Sequence, residues 1–172
     1  MANAFWDFSL KTYAAPGVAG ECLSLQDNFG IDVNLLLFSA YMGAEGTVLT
    51  GDDMAEISAL VRDWHEQVVK PLRSARRAIK QIHAPPSAST RKPVESLRNQ
   101  VKALELDAEK IEQDMLGEWA RTRVPVTSDA ESAICRNIQL LLEFSGAAAD
   151  TTSVPALLQA SLAAVKPALA RR

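Results

Sequence analysis

Apolar residues recur along this chain at steps of three and four, the period of helices that bury one face. From Asn3 to Tyr13 the apolar and aromatic positions Phe5, Trp6, Leu10 and Tyr13 share that spacing, with Asn3 available as a cap. Pro16 suits the first turn of a second helix, whose face runs through Val18, Cys22, Leu25, Gln26 and Phe29 to Gly30. Gly30 can take the left-handed conformation that ends a helix, and Asp32 can accept from the free backbone N–H groups that begin the next one. Behind Asp32, the run Val33, Leu35, Leu36, Leu37, Phe38, Tyr41 and Met42 leaves almost no polar face. This pattern predicts a central helix surrounded by others, ending near Gly43 at a loop that holds Gly46, Thr47 and Thr50.

Thr50 and Asp53 form a capping box for a longer helix with the apolar series Met54, Ile57, Val61, Trp64, Val68, Leu72, Ala75, Ile79 and Ile82. Pro71 lies inside that series and predicts a kink or a restart. Residues 85–93 carry three prolines among small polar residues and read as a mobile linker. After them Val94, Leu97, Val101, Leu104, Ala108, Ile111, Met115 and Trp119 repeat the same step, which predicts a long antiparallel hairpin with an apolar seam. A capping box at Ser128–Glu131 opens a helix with Ile134, Ile138, Leu141 and Leu142 inward. Pro155 falls in the first turn of a last helix with Val154, Leu158, Leu162, Val165 and Leu169 on one face. The only strand candidate, Thr47 to Thr50, is short and polar. The expectation is an all-α, single-domain bundle of about six helices. Core helices occupy 3–45, the hairpin 51–120 and the C-terminal helices 128–170.

Composition narrows the function classes. With 172 residues, 48% hydrophobic and 23% charged, the chain is long enough for one well-buried core. A formal charge of -3 gives no global attraction to nucleic acid, and no reading motif or interleaved aromatics accompany the basic residues. No apolar run approaches the ~20 residues of a membrane span. Two cysteines, Cys22 and Cys135, lie on apolar helical faces, and no leader segment is recognisable, which together predict a cytoplasmic protein.

Charge is separated locally. Between Gln67 and Val94 the chain carries Lys70, Arg73, Arg76, Arg77, Lys80, Arg91 and Lys92 and no acidic residue. Arg73, Arg76, Arg77 and Lys80 are therefore candidate anchors for a phosphate, a carboxylate or a partner surface. The alternative is pairing with Glu105, Asp107, Glu109, Glu112 and Asp114 of the neighbouring helix. Asp52, Asp53 and Glu56 superficially resemble the magnesium-holding motif of helical prenyl-diphosphate enzymes, but first-turn acids are expected for capping alone and no second such motif follows. His65 and His83 lack any local metal-ligand spacing, so neither metal nor cofactor is expected. Trp6, Gln26, Asp27, Asp32, Asn34, Trp64 and His65 make a second candidate group. Such polar residues in an apolar half either pin helices together or line a pocket open toward Arg73 and Arg77.

The string Phe5-Trp6-Asp7-Phe8-Ser9-Leu10, Pro16-Gly17-Val18, Cys22-Leu23, Leu25-Gln26-Asp27, Gly30 and Asp32 to Phe38, with Trp64 and Pro71 to Arg77, resembles a proteobacterial family of small helical proteins. The resemblance covers mainly the first half and implies a compact helical cytoplasmic protein, with no activity or catalytic residue to carry over. Tyr41 stands where that family often has tryptophan. The combined expectation is a noncatalytic binding or adaptor protein, with a protein partner or self-association ahead of a small anionic ligand. The rival is a binder of, or an enzyme acting on, an anionic ligand held by the basic face. A pocket joining the candidate groups would favour the rival, and an exposed apolar stripe the adaptor.

Overall fold

The structure, a computed structural model, describes residues 3–81, 88–123 and 128–165. Its helices are α1 (Ala4–Tyr13), α2 (Val18–Phe29), α3 (Val33–Ala44), α4 (Gly51–Trp64), α5 (Lys70–Gln81), α6 (Arg91–Arg121), α7 (Ala130–Phe144) and α8 (Pro155–Ala164). A π-helical turn, His65–Val69, joins α4 to α5 without a break, so the two form one long rod. The fold is all-α, with no strand among the described residues.

Helix α3 is the hub, as its apolar run predicts. It packs on α7 most extensively and also touches α1, α2, α6 and α8. Leu36, Phe38, Ser39 and Ala40 have no exposed surface. Phe38 meets Phe5 edge-on at 5.1 Å between ring centroids and Trp119 at 6.0 Å, so one aromatic cluster ties α1, α3 and α6 together.

Local capping sets most boundaries. Asn3 accepts from the Phe5 and Trp6 N–H groups, Asp32 from Asn34 N–H, and Thr50 and Asp53 satisfy each other reciprocally. Gly30 takes the left-handed conformation at φ 70° and closes α2. Capping also acts at a distance. The Glu21 carboxylate on α2 accepts from Ala156 N–H at 2.8 Å and Leu157 N–H at 2.9 Å, supplying the cap that Val154 lacks at the start of α8. Buried Asn137 on α7 accepts from Leu49 N–H at 2.8 Å and donates to the carbonyls of Thr47 at 2.8 Å and Ser39 at 3.2 Å. It thereby pins the loop after α3.

Several boundaries differ from the sequence expectation. Asp129, not Ser128, caps α7, accepting from Ser132 N–H at 2.9 Å. Helix α3 ends at Ala44, next to Gly43 as expected, and the missing side chain of Gly43 lets the α7 backbone approach. Ala88–Thr90 form a 3-10 turn, and Arg91, Lys92 and Pro93 belong to the first turn of α6 and not to a linker. Pro85, Pro86, Ile82, His83 and Leu169 lie outside the described residues.

The largest correction concerns the hairpin. Leu97, Leu104 and Ile111, expected in its seam, are 51%, 55% and 45% exposed, while Glu105 and Glu112 point inward beside Ala108, which lies in the seam as expected. On the other arm Ala75 is exposed, and Arg73 and Arg76 turn toward α6. The π turn explains part of the shift. Its extra residue moves the buried face from Trp64 and Val68 to His65 and Val69, and it lies directly before Pro71, where an irregularity was expected.

Candidate functional site

Two adjoining polar features lie between α1, α2, the start of α3 and the hairpin. The first is a cleft of about 300 Å³, at the lower end of the range for small-molecule sites. Its walls carry Trp6, Tyr13, Val33 and Leu37, its rim carries Leu10, Leu23 and Leu106, and its polar side carries Gln26, Asn34, Arg73, Arg76, Arg77, Lys102, Glu105 and Glu109. Leu10, Leu23 and Leu106 come from three different helices, and each is 42% or more exposed. Of the sequence candidates, the cleft thus gathers Trp6, Gln26, Asn34, Arg73, Arg76 and Arg77.

The arginines are largely committed. Arg73 donates to Gln26 Oε1, to Glu105 Oε1 at 3.1 Å and to Glu109 Oε1 at 2.5 Å. Arg76 donates to both oxygens of Glu105. The pairing reading of the basic run therefore holds for these two residues, and the seam between α5 and α6 is ionic where it was expected to be apolar. Burial would raise the Glu105 carboxyl, but hydrogen bonds from Arg76 and Arg73 outweigh it and hold the group below its ordinary value. Burial pushes Glu109 up despite Arg73. Arg77, nearly half exposed, pairs with Asp27 at 3.0 Å on the surface. Asp27 and Lys80 do not line the cleft.

The second feature adjoins the cleft behind Asn34 and Gln113, which line it. Asp32, His65 and Glu112 converge with side chains 11%, 8% and 0% exposed. His65 Nδ1 lies 3.0 Å from Asp32 Oδ2 and 3.3 Å from Glu112 Oε2. Burial lowers the histidine's proton affinity, but its hydrogen bonds to Asp32 and Glu112 prevail and carry it up to about 10. Burial and the Asp32 charge push Glu112 up, and hydrogen bonds from His65 and Glu112 hold Asp32 down. Glu112 Oε1 is buried without a hydrogen-bond partner, a state that costs about 1–3 kcal/mol.

Rigid neighbours hold this trio. Asp32 Oδ1 accepts from Asn34 N–H at 2.8 Å, and Asn34 Oδ1 accepts from Gln113 Nε2 at 2.8 Å, which ties the start of α3 to α6. Trp64 Nε1 donates to the Ala108 carbonyl at 2.9 Å, so Trp64 is a pin of the hairpin and not a wall of the cleft. The π turn rotates His65 inward, and such turns concentrate at functional positions.

Sequence reading singled out Asp32 and His65 together but named Glu112 only as a pairing acid, and passed over Gln113. The signal lay in Arg98, Glu105 and Glu112, polar residues seven apart, but the equally spaced Leu97, Leu104 and Ile111 beside them outweighed it. A wider cleft of about 570 Å³ opens near Tyr41 and Lys110. Lys110 pairs there with Asp114 at 2.9 Å and Arg121 with Glu118 at 3.5 Å, and this cleft contains none of the candidates.

The fold and these features define a small all-α protein with a polar-sided cleft and a buried carboxylate–imidazole cluster. Residues 4–116 match the family described as a protein of unknown function (DUF2390), and the chain belongs to that family. The match takes in the cleft, the cluster and all of α1 to α5. No curated protein and no solved structure matches the chain. No helix among the described residues is long and apolar enough to cross a membrane.

Proposed function

We propose that the protein is a noncatalytic binding protein whose ligand carries an apolar body and a single acidic group. The observation that carries this reading is the cleft itself, where leucines from α1, α2 and α6 rim an apolar cavity beside arginines. Because Arg73 and Arg76 are already paired, the cleft has little free positive charge for a polyanion. Lys102, together with Arg77, whose exposed pair with Asp27 is easily exchanged for another carboxylate, is placed to meet one acidic head. Catalysis lacks support, since the lining contains no histidine or cysteine and Ser9 Oγ has no base partnered to it. A bacterial cytoplasm fits the free thiols and the resemblance of the first half.

Native mass spectrometry of protein purified gently from its own cells, followed by calorimetry with decanoate and decanol, tests this reading. A retained small molecule, or decanoate binding that weakens about tenfold in Arg77→Ala, supports it. Absence of both overturns it. Arg77 is preferred over Arg73 because removing Arg73 would break the α5–α6 seam.

A second reading rests on the exposed ridge of Leu97, Leu104 and Ile111, seven residues apart on the 31-residue α6. Such a ridge suits self-association or an adaptor contact. Sedimentation velocity decides it: a dimer dissociated by Leu104→Glu supports the contact, and a monomer at every concentration refutes self-association.

A further inference from the structure

We infer that Asp32, His65 and Glu112 form a binding site for one divalent transition-metal cation, of the zinc or manganese class. The site is independent of the cleft ligand proposed above. Three donors from distant parts of the chain point at a common centre: Asp32 at the cap of α3, His65 at the π turn and Glu112 in α6. Their potential ligand atoms all lie within 4.8 Å of one another.

The two distances from His65 suit neighbouring ligands of one metal. Ligands held at about 2.1 Å from a metal lie roughly 3.0 Å apart when adjacent in an octahedron and roughly 3.4 Å apart in a tetrahedron. His65 Nδ1 is 3.0 Å from Asp32 Oδ2 and 3.3 Å from Glu112 Oε2. A protonated His65 shared between the two carboxylates accounts for both distances, but it leaves Glu112 Oε1 buried and without a partner. That oxygen belongs to a side chain with no exposed surface, and it offers a second donor from the same carboxylate. Two carboxylates carry a formal charge that a divalent cation neutralises with the imidazole left neutral. One nitrogen and two or three oxygens favour zinc, manganese or ferrous iron over the softer, sulfur-seeking metals.

The surroundings are those of a prepared site. The second oxygen of Asp32 is fixed by Asn34 N–H, and Asn34 by Gln113. Trp64, next to His65 in sequence, is fixed by the Ala108 carbonyl one helical turn before Glu112. Partners of this kind orient metal ligands and sharpen affinity.

The test uses the full chain, stripped of metal with a chelator, with ZnCl₂ and MnCl₂ as probes in calorimetry and Co²⁺ as a spectroscopic reporter. One equivalent should bind, with a cobalt absorption spectrum that shows nitrogen and oxygen ligands. His65→Ala and Glu112→Gln should each weaken binding by ~100-fold or more. Asp32→Asn guards against misfolding, because asparagine caps a helix as well as aspartate does and leaves one charge fewer at the site. It should retain the native circular dichroism and still bind at least tenfold more weakly. Equal binding by the wild type and folded Asp32→Asn, or no binding of any of the three metals by the folded wild type, overturns the inference. Loss of binding in the variants with decanoate binding intact separates this site from the cleft.

Discussion

Gly43 and Gly20 are both helical glycines, yet alanine should have opposite effects at the two positions. A Cβ on Gly43 would lie 2.5 Å from Ile134 Cα and 2.8 Å from the Ala133 carbonyl carbon. Ordinary contact begins near 3.4 Å, so α3 and α7 would have to separate by roughly 1 Å, and the atoms in the way are backbone that cannot swing aside. Overpacking of this kind costs about 3 kcal/mol at the upper end of its range. The helical preference for alanine over glycine returns about 1 kcal/mol. The net loss is about 2 kcal/mol, or roughly 4–8 °C in Tm for a chain of this length. At Gly20 a Cβ meets nothing within 4 Å, so only the propensity gain remains and Tm should rise by roughly 2–4 °C. Urea and thermal melts followed by far-UV circular dichroism measure both. If Gly43→Ala is neutral or stabilising, the close α3–α7 packing described above is wrong.

The buried pin and the ionic seam make further predictions. Asn137→Leu leaves Leu49 N–H and the Thr47 carbonyl without their side-chain partner, and should cost on the order of 3 kcal/mol in urea unfolding; a cost below about 1 kcal/mol would show that the loop finds other partners. Because the Glu105 carboxyl is held below its ordinary value, its contribution is fully present above the unfolded range near pH 4.3 and is lost as pH falls through the lower folded value. The stability gap between the wild type and Glu105→Gln should therefore be widest near neutrality and shrink in acid, and a gap independent of pH would contradict the pairing. Cys22 is wholly buried and its thiol is pushed up to about 12, chiefly by desolvation, so a maleimide should label partly exposed Cys135 first and Cys22 only on unfolding. Prompt double labelling of the native protein would refute that burial.

The cleft and the buried cluster were partly legible beforehand. Asp32 announced itself by position, two residues beyond a helix-ending glycine, and Gln26, Asn34 and Arg73 stood out as polar residues in apolar or uniformly basic surroundings. Glu112 did not, because a glutamate on a charged helix looks solvated until the fold shows what covers it. Only the ion pairs seen across the hairpin show that Arg73 and Arg76 are spoken for.

The sequence by itself determined where most helices start and stop, because caps, prolines and left-handed glycines act within a few residues of where they stand. It also determined that α3 is central, since a helix without a polar face can be satisfied only by burial on all sides. The tertiary structure decided which way α5 and α6 face. Along α6, apolar and polar residues both repeat at seven, so period alone left two phases open. The π turn and the ionic partners across the hairpin selected the one with glutamates inward. That choice brings Glu112 to His65 and Asp32, a meeting set by packing between distant segments and not by local pattern.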